Sequence, residues 1–188
     1  MIKYISYRNN FESESIMFYI VRHGEPDYSE ANSKIYNGFG SNMCTLTPKG
    51  CDQIKNTAKD SRLKNADIII TSPYGRALHT AAILSKELNV DIIVETDLHE
   101  WLANKYYIHE SDDIADSNYN EFHLNNGCYP PEGEKDWETA EMMKKRAVAV
   151  LKKYKDYNNV IVTCHGILIE AITGRHHPKH GEIIEFEL

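Results

Sequence analysis

Residues Met17–Glu25, MFYIVRHGE, run five apolar or aromatic side chains directly into Arg22, His23, Gly24 and Glu25. A continuous apolar run of this length, with no polar alternation, reads as a strand buried within a parallel sheet. Three further runs share the form: Asp67–Thr71 (DIIIT), Asp91–Val94 (DIIV) and Val160–Thr163 (VIVT). Ile183–Phe186 reads as a final strand. Helical spacing fills the intervals. Thr47-Pro48 offers an N-cap followed by proline at the first helical position, opening a helix to about Lys59. Ala77, Ala81, Leu84 and Leu88 share one helix face, and Trp137, Ala140, Met143, Ala147, Leu151 and Tyr154 share another. Strands alternating with helices predict an α/β fold whose sheet is mainly parallel.

The segment from Leu102 to Lys135 has no clear period and is rich in Tyr, Asn, Asp and His. It is expected to form an irregular cap, because connections that long in compact domains usually serve function. Residues 1–16 lie before the first strand pattern and read as an extension or a consequence of start-site choice, leaving 17–188 as one domain. They carry Lys3, Arg8, Glu12 and Glu14 with no apolar centre, so no secretory signal is expected there.

The 188 residues suit a single core, with 41% apolar and 26% charged side chains. A net charge of −7 argues against a general nucleic-acid or membrane-surface binder, since both need a basic face. Cys44, Cys51, Cys128 and Cys164 show neither a CxxC pair nor metal-ligand spacing. They read as reduced thiols, which implies a cytoplasmic setting. No metal or other cofactor is expected.

Each of four strand ends is followed by residues able to do chemistry. In open parallel sheets the carboxyl ends of the strands line one crevice, so distant segments meet there. The segments are Arg22-His23-Gly24-Glu25, Ser72–Ala81 with Arg76 in a first helical turn, Leu98-His99-Glu100, and Cys164-His165-Gly166. Glycine after His23 is expected to let a ligand approach closely. Two imidazoles, two guanidiniums and a carboxylate make a phosphoryl-transfer set. Arginine forks match phosphate oxygens, neutral imidazole is a competent nucleophile, and a carboxylic acid can protonate a departing alkoxide.

The ordered motifs RHGE (22–25), LTPKG (46–50), SPYGRALHTA (72–81), LHE (98–100), GEKDWETAEMMKKR (133–146) and CHG (164–166) resemble those of the histidine phosphatase superfamily, also called the phosphoglycerate mutase-like family. The resemblance covers nearly the whole chain from Met17. It implies a three-layer α/β/α sandwich with a mixed, mainly parallel sheet. It also implies that His23 accepts the phosphoryl group, that Arg22, Arg76 and His165 surround its oxygens, and that Glu100 donates the proton. Gly166 after His165, where another branch has Asp, places the acid elsewhere. Glu25, Glu95 and Asp97 stay open as alternative acids.

The chain departs from the family pattern in places. Pro26 follows Glu25, and Ser29 falls where an Asn is common. Asn37 and Gly38 resemble a later polar-Gly element and are expected to touch substrate. The stretch after Glu100 (WLANKYY) is unlike the mutase segment, which favours hydrolysis of a small phosphate monoester. Phosphoglycerate mutase-type transfer and a non-catalytic phospho-ligand module remain as alternatives. His109 and His123 read as exposed loop residues, Trp101 and Tyr106 as substrate stackers or cap anchors, and the His176–His180 cluster as a solvated loop.

Overall fold

A computed structural model describes residues 16–31 and 39–188. Asn37 and Gly38, and residues 1–15 of the extension, lie outside the described residues. The chain builds β1 (Met17–Arg22), a short turn of helix α1 (Gly40–Met43), α2 (Pro48–Thr57), β2 (Ile68–Thr71) and α3 (Gly75–Leu88). It continues through β3 (Ile92–Val94), α4 (Asp112–Leu124), α5 (Ala140–Leu151), β4 (Asn159–Cys164), α6 (Gly166–Thr173) and β5 (Ile183–Glu187). The five strands form one sheet in the order β3-β2-β4-β1-β5. β3, β2, β4 and β1 pair in parallel, and β5 joins β1 antiparallel.

Successive side chains of a strand face opposite sides, and the core divides accordingly. Phe18, Ile20, Ile68, Ile70, Val160 and Val162 face α5 and α6, meeting Met143, Ala147, Leu151, Leu168 and Ile172. Val21, Ile69 and Ile161 face the other way, onto Ile54 of α2 and Ala81 and Leu84 of α3. Helices therefore cover both faces of a mixed sheet, as expected of a three-layer sandwich. Among the described residues no helix is long and apolar enough to cross a membrane.

Local chemistry sets the element ends. Thr47 accepts the Gly50 N–H at 2.9 Å and Pro48 opens α2, which stops at Thr57 rather than near Lys59. The last long helix is shorter than the Trp137–Tyr154 pattern. Thr139 caps it by accepting the Met142 N–H at 3.2 Å, so Trp137 precedes it, and Lys152–Tyr154 tightens into a 3-10 turn. β3 is an edge strand, which leaves Ile93 and Val94 exposed instead of buried.

The 102–135 segment is not irregular throughout, because it contains α4. That helix buries only Phe122 among its thirteen residues, so it carries almost no apolar period to read. Trp101 anchors it, with its ring 5.5 Å from Phe122 and its indole N–H donating to the Glu138 carbonyl at 2.7 Å.

Candidate active site

Strand register brings the two histidines together. Arg22 lies opposite Cys164 across β1 and β4, and Thr71 lies opposite Thr163 across β2 and β4. The next residues, His23, His165 and Ser72, therefore emerge side by side at the carboxyl edge of the sheet. Pairing continues one step beyond the strands: His23 N–H donates to Cys164 O and Ser72 N–H to Thr163 O, both at 3.0 Å. The imidazole centroids of His23 and His165 are 5.3 Å apart, and both residues are buried.

The His23 ring is fixed by two contacts. Its Nδ1 lies 2.7 Å from Gly24 O, a carbonyl that can only accept, so Nδ1 carries the proton. Nε2 keeps its lone pair and accepts from Arg76 Nε at 3.2 Å. Burial and the positive charges of Arg76 and Arg22 push the His23 pKa down to about 3, so the ring is neutral near pH 7. His165 is also held well below the ordinary imidazole range, by burial and then by Arg76. One of its nitrogens, Nε2, shares a 2.7 Å hydrogen bond with Ser72 Oγ, and the other, Nδ1, has no partner among the described residues.

Arg76 sits in the first turn of α3, only 6% exposed, with Nη1 donating to Ser41 O at 3.1 Å and its guanidinium 5.2 Å from the Tyr74 ring. Arg22 donates from Nη1 to Pro178 O, while its buried Nε has no partner among the described residues. A Cβ on Gly166 would come 3.3 Å from that Nε, so glycine here leaves room for the guanidinium. Gly24 serves a different purpose from the one expected. A Cβ there would lie 2.6 Å from Gly50 O, so its missing side chain admits the backbone of α2, not a ligand.

Glu100 reaches the same end of the sheet just past the Thr96–Leu98 turn. Its Oε1 accepts the N–H groups of Trp101 (2.9 Å) and Leu168 (3.2 Å), and its Oε2 accepts that of Ile167 (3.3 Å). The carboxyl group thus faces the first turn of α6, directly after His165. Burial nonetheless raises its pKa above the usual carboxylate value, against the opposing pull of these N–H groups and Arg76. The alternative acids are engaged elsewhere or absent from these contacts. Glu25 binds Lys49 and Thr47, and Glu95 binds Lys153 and the Tyr154 hydroxyl. Asp97 enters this region through its backbone carbonyl, which accepts from Arg146.

Two features escaped the sequence reading. The first is a largely buried Arg146–Glu138 pair, with contacts at 2.6 and 2.9 Å. The same guanidinium donates to the carbonyls of Asp97 (2.5 Å), His99 (2.9 Å) and Glu100 (3.4 Å), clamping the segment that carries Glu100. Both residues lie inside the quoted 133–146 motif, eight positions apart on either side of a helix cap. The second is His180. Its ring centroid is 5.5 Å from that of His23, so it is not part of a solvated loop, whereas His176 and His177 are exposed. β5 pairs antiparallel with β1, so residues entering β5 come beside the carboxyl end of β1. His123 is likewise not on an exposed loop. It sits on α4 against Tyr119 and Phe122. Among the described residues no group of three or more His, Cys, Asp or Glu side chains is arranged to hold a metal ion.

The family model described as "Histidine phosphatase superfamily (branch 1)" matches residues 18–184. The chain belongs to that family. Among its relatives is "Putative phosphoserine phosphatase 2" of Hydrogenobacter thermophilus, 29% identical over 158 residues, which are 82% of this chain and 75% of that protein. "Probable phosphoglycerate mutase GpmB" of Escherichia coli O1:K1 / APEC is 28% identical over 164 residues, 84% of this chain and 73% of that one. Among solved structures, the protein called "Mycobacterial hydrolase 1" superposes with a TM-score of 0.68 at 17% identity, covering 92% of each chain. That likeness shows a shared fold.

Proposed function

We propose that this histidine phosphatase hydrolyses phosphate monoesters through a phosphohistidine on His23. The observation that carries the reading is the neutral His23 ring, with Nδ1–H on a carbonyl and the Nε2 lone pair facing a buried guanidinium. Nε2 attacks phosphorus as the ester P–O bond breaks, and Glu100 gives its proton to the departing alkoxide. Arg22, Arg76 and His165 stabilise the equatorial oxygens, the main electrostatic demand of phosphoryl transfer. The Glu100 carboxylate then takes a proton from water as that water attacks phosphorus. The P–N bond breaks, inorganic phosphate leaves, and His23 recovers its lone pair.

Relatives are named as phosphatases and as mutases, so the acceptor needs its own argument. A mutase must hold a carboxylate while the acid reorients. The one Lys or Arg between Trp101 and Lys135 is Lys105, whose ammonium is tied to Glu134 (2.6 Å), Lys135 O (2.6 Å) and the Tyr129 hydroxyl (3.2 Å). This favours water. The proposed reaction needs no metal, since cationic side chains supply the charge, and the proposed setting is a cytoplasm that keeps the four unpaired cysteines reduced.

Rapid acid quench after mixing with labelled substrate should trap a base-stable, acid-labile phosphoryl-enzyme that His23→Ala does not form. Wild-type turnover by His23→Ala refutes the mechanism. Loss of activity in chelator with recovery in Mg²⁺ or Zn²⁺ refutes metal independence. Interconversion of 3- and 2-phosphoglycerate faster than release of phosphate from any ester promotes the mutase.

A further inference from the structure

Beside the phosphate cradle lies a cleft of about 180 Å³ between the α1 end of the chain and the cap. Its inner end touches the cradle through two residues. Ser41 O holds Arg76 Nη1, and the Tyr74 ring lies 5.3 Å from His165 and 5.2 Å from the Arg76 guanidinium. Its outer wall is aromatic. Phe39 stacks on Tyr107 with centroids 5.8 Å apart and planes 12° from parallel, and leans on His109 at 5.5 Å. These rings are not sealed in a core: Phe39 is 37% exposed and Tyr107 50%. Tyr107 is held at φ +59°, a left-handed conformation that residues bearing a side chain seldom adopt. Its hydroxyl lies within reach of the Asn42 amide and the Tyr74 hydroxyl.

Charge in the cleft has one sign. Glu110 and Asp112 line it, and among the described lining residues there is no Lys or Arg. An anionic group seated there would lie well inside the roughly 8–10 Å screening length of both carboxylates. The volume falls below the ~300–1,000 Å³ of drug-sized pockets, which suits one small ring system.

We infer that this cleft selects phosphate monoesters whose leaving group carries a planar aromatic ring and no negative charge, and that it disfavours phosphorylated carboxylic acids. The inference rests on the phosphatase reading above. The phosphate enters among Arg22, Arg76, His23 and His165, and the ring of the leaving group lies against Phe39 and Tyr107.

The test compares esters that all expel primary alkoxides, so intrinsic reactivity stays level: n-butyl phosphate, phenethyl phosphate, its para-carboxylate, and O-phosphoserine. Phenethyl phosphate should exceed n-butyl phosphate in kcat/KM roughly tenfold, the factor that about 1.4 kcal/mol of aromatic contact gives. The para-carboxylate and O-phosphoserine should fall to the butyl level or below. Phe39→Ala and, separately, Tyr107→Ala should each shrink the phenethyl-to-butyl ratio. Glu110→Gln with Asp112→Asn should raise the carboxylated ester relative to phenethyl phosphate. Equal turnover of butyl and phenethyl esters, or faster turnover of the carboxylated ones, overturns the inference while leaving the phosphatase intact. No phosphate release from any ester, with no labelled His23, overturns the phosphatase reading and this inference with it.

Discussion

In the proposed mechanism Glu100 has two jobs that pull its pKa in opposite directions. As a carboxylate it accepts three backbone N–H bonds, and as an acid it must hold a proton for the leaving oxygen. Burial decides the balance in favour of a raised pKa. Glu100→Gln should therefore lower kcat for alkyl phosphates by about 10²–10⁴, the usual worth of a positioned general acid. An activated aryl phosphate, whose departure needs no proton, should lose far less, and stopped assays on both ester types measure the difference. Arg146 acts one step back, as a positioning residue through the 97–100 carbonyls. Arg146→Met should lower kcat on alkyl esters with little change in KM, and Arg146→Lys should restore only part, because an ammonium cannot reproduce the forked contacts. Equal losses on alkyl and aryl esters would show that Arg146 merely supports the fold. His23, His165, Arg22, Arg76 and Glu100 were legible as candidates because each lies at or soon after a strand end, and strand ends converge. Arg146 and Glu138 were not, since a largely buried ion pair between the residue before a helix cap and the helix itself looks in sequence like two ordinary surface charges. His180 was masked by its neighbours: in composition, the 176–180 tract is a solvated basic loop.

At the scale of elements, the apolar runs located all five strands to within a residue or two; for β1, β2 and β4 this is because a strand in the middle of such a sheet has no polar face to blur the pattern. α4 was invisible for the converse reason, since only Phe122 of that helix reaches the core. The join between β1 and α2 shows what close packing of elements demands. A Cβ on Gly24 would meet Gly50 O at 2.6 Å, and one on Gly50 would meet Glu25 O at 2.3 Å, backbone against backbone in both cases. No rotamer change can relieve these contacts, so α2 must move away from the segment that carries His23. Gly24→Ala should cost about 1–3 kcal/mol of stability, the range for overpacking. It should also lower kcat, since Gly24 O holds the His23 Nδ1 proton. Thr47→Ala, which removes the cap of the same helix and a hydroxyl bond to Glu25, should cost about 1 kcal/mol and leave kcat nearly unchanged. Chemical denaturation paired with kinetics on the two variants separates these outcomes.

For the molecule as a whole, a site built from buried neutral imidazoles leaves its mark on stability against pH. His23 and His165 are held far below the ordinary value of 6.5, and burial lowers His99 and His180 as well. In the unfolded chain all four titrate near 6.5. Below that pH the unfolded state binds protons that the folded state refuses, so acidification favours unfolding. For a ring as buried as that of His23 the loss runs from about pH 6.5 down to about 3, at about 1.4 kcal/mol per pH unit. Glu100 works the other way. Its raised folded pKa adds stability below the unfolded value, and that contribution is lost as pH rises through the folded one. One carboxyl against four imidazoles leaves the histidines dominant between pH 7 and 5. The midpoint of thermal unfolding should therefore fall steadily across that interval, in phosphate-free buffer, because a bound anion would stabilise the folded state by mass action. His23→Gln and His165→Asn should each flatten the slope, whatever they do to the absolute midpoint. A wild-type midpoint that stays level or rises between pH 7 and 5 would mean that these rings accept protons in the folded protein. In that case His23 would lose its lone pair over the same interval, and the phosphoryl transfer proposed for it should slow as pH falls from about 7 to 5.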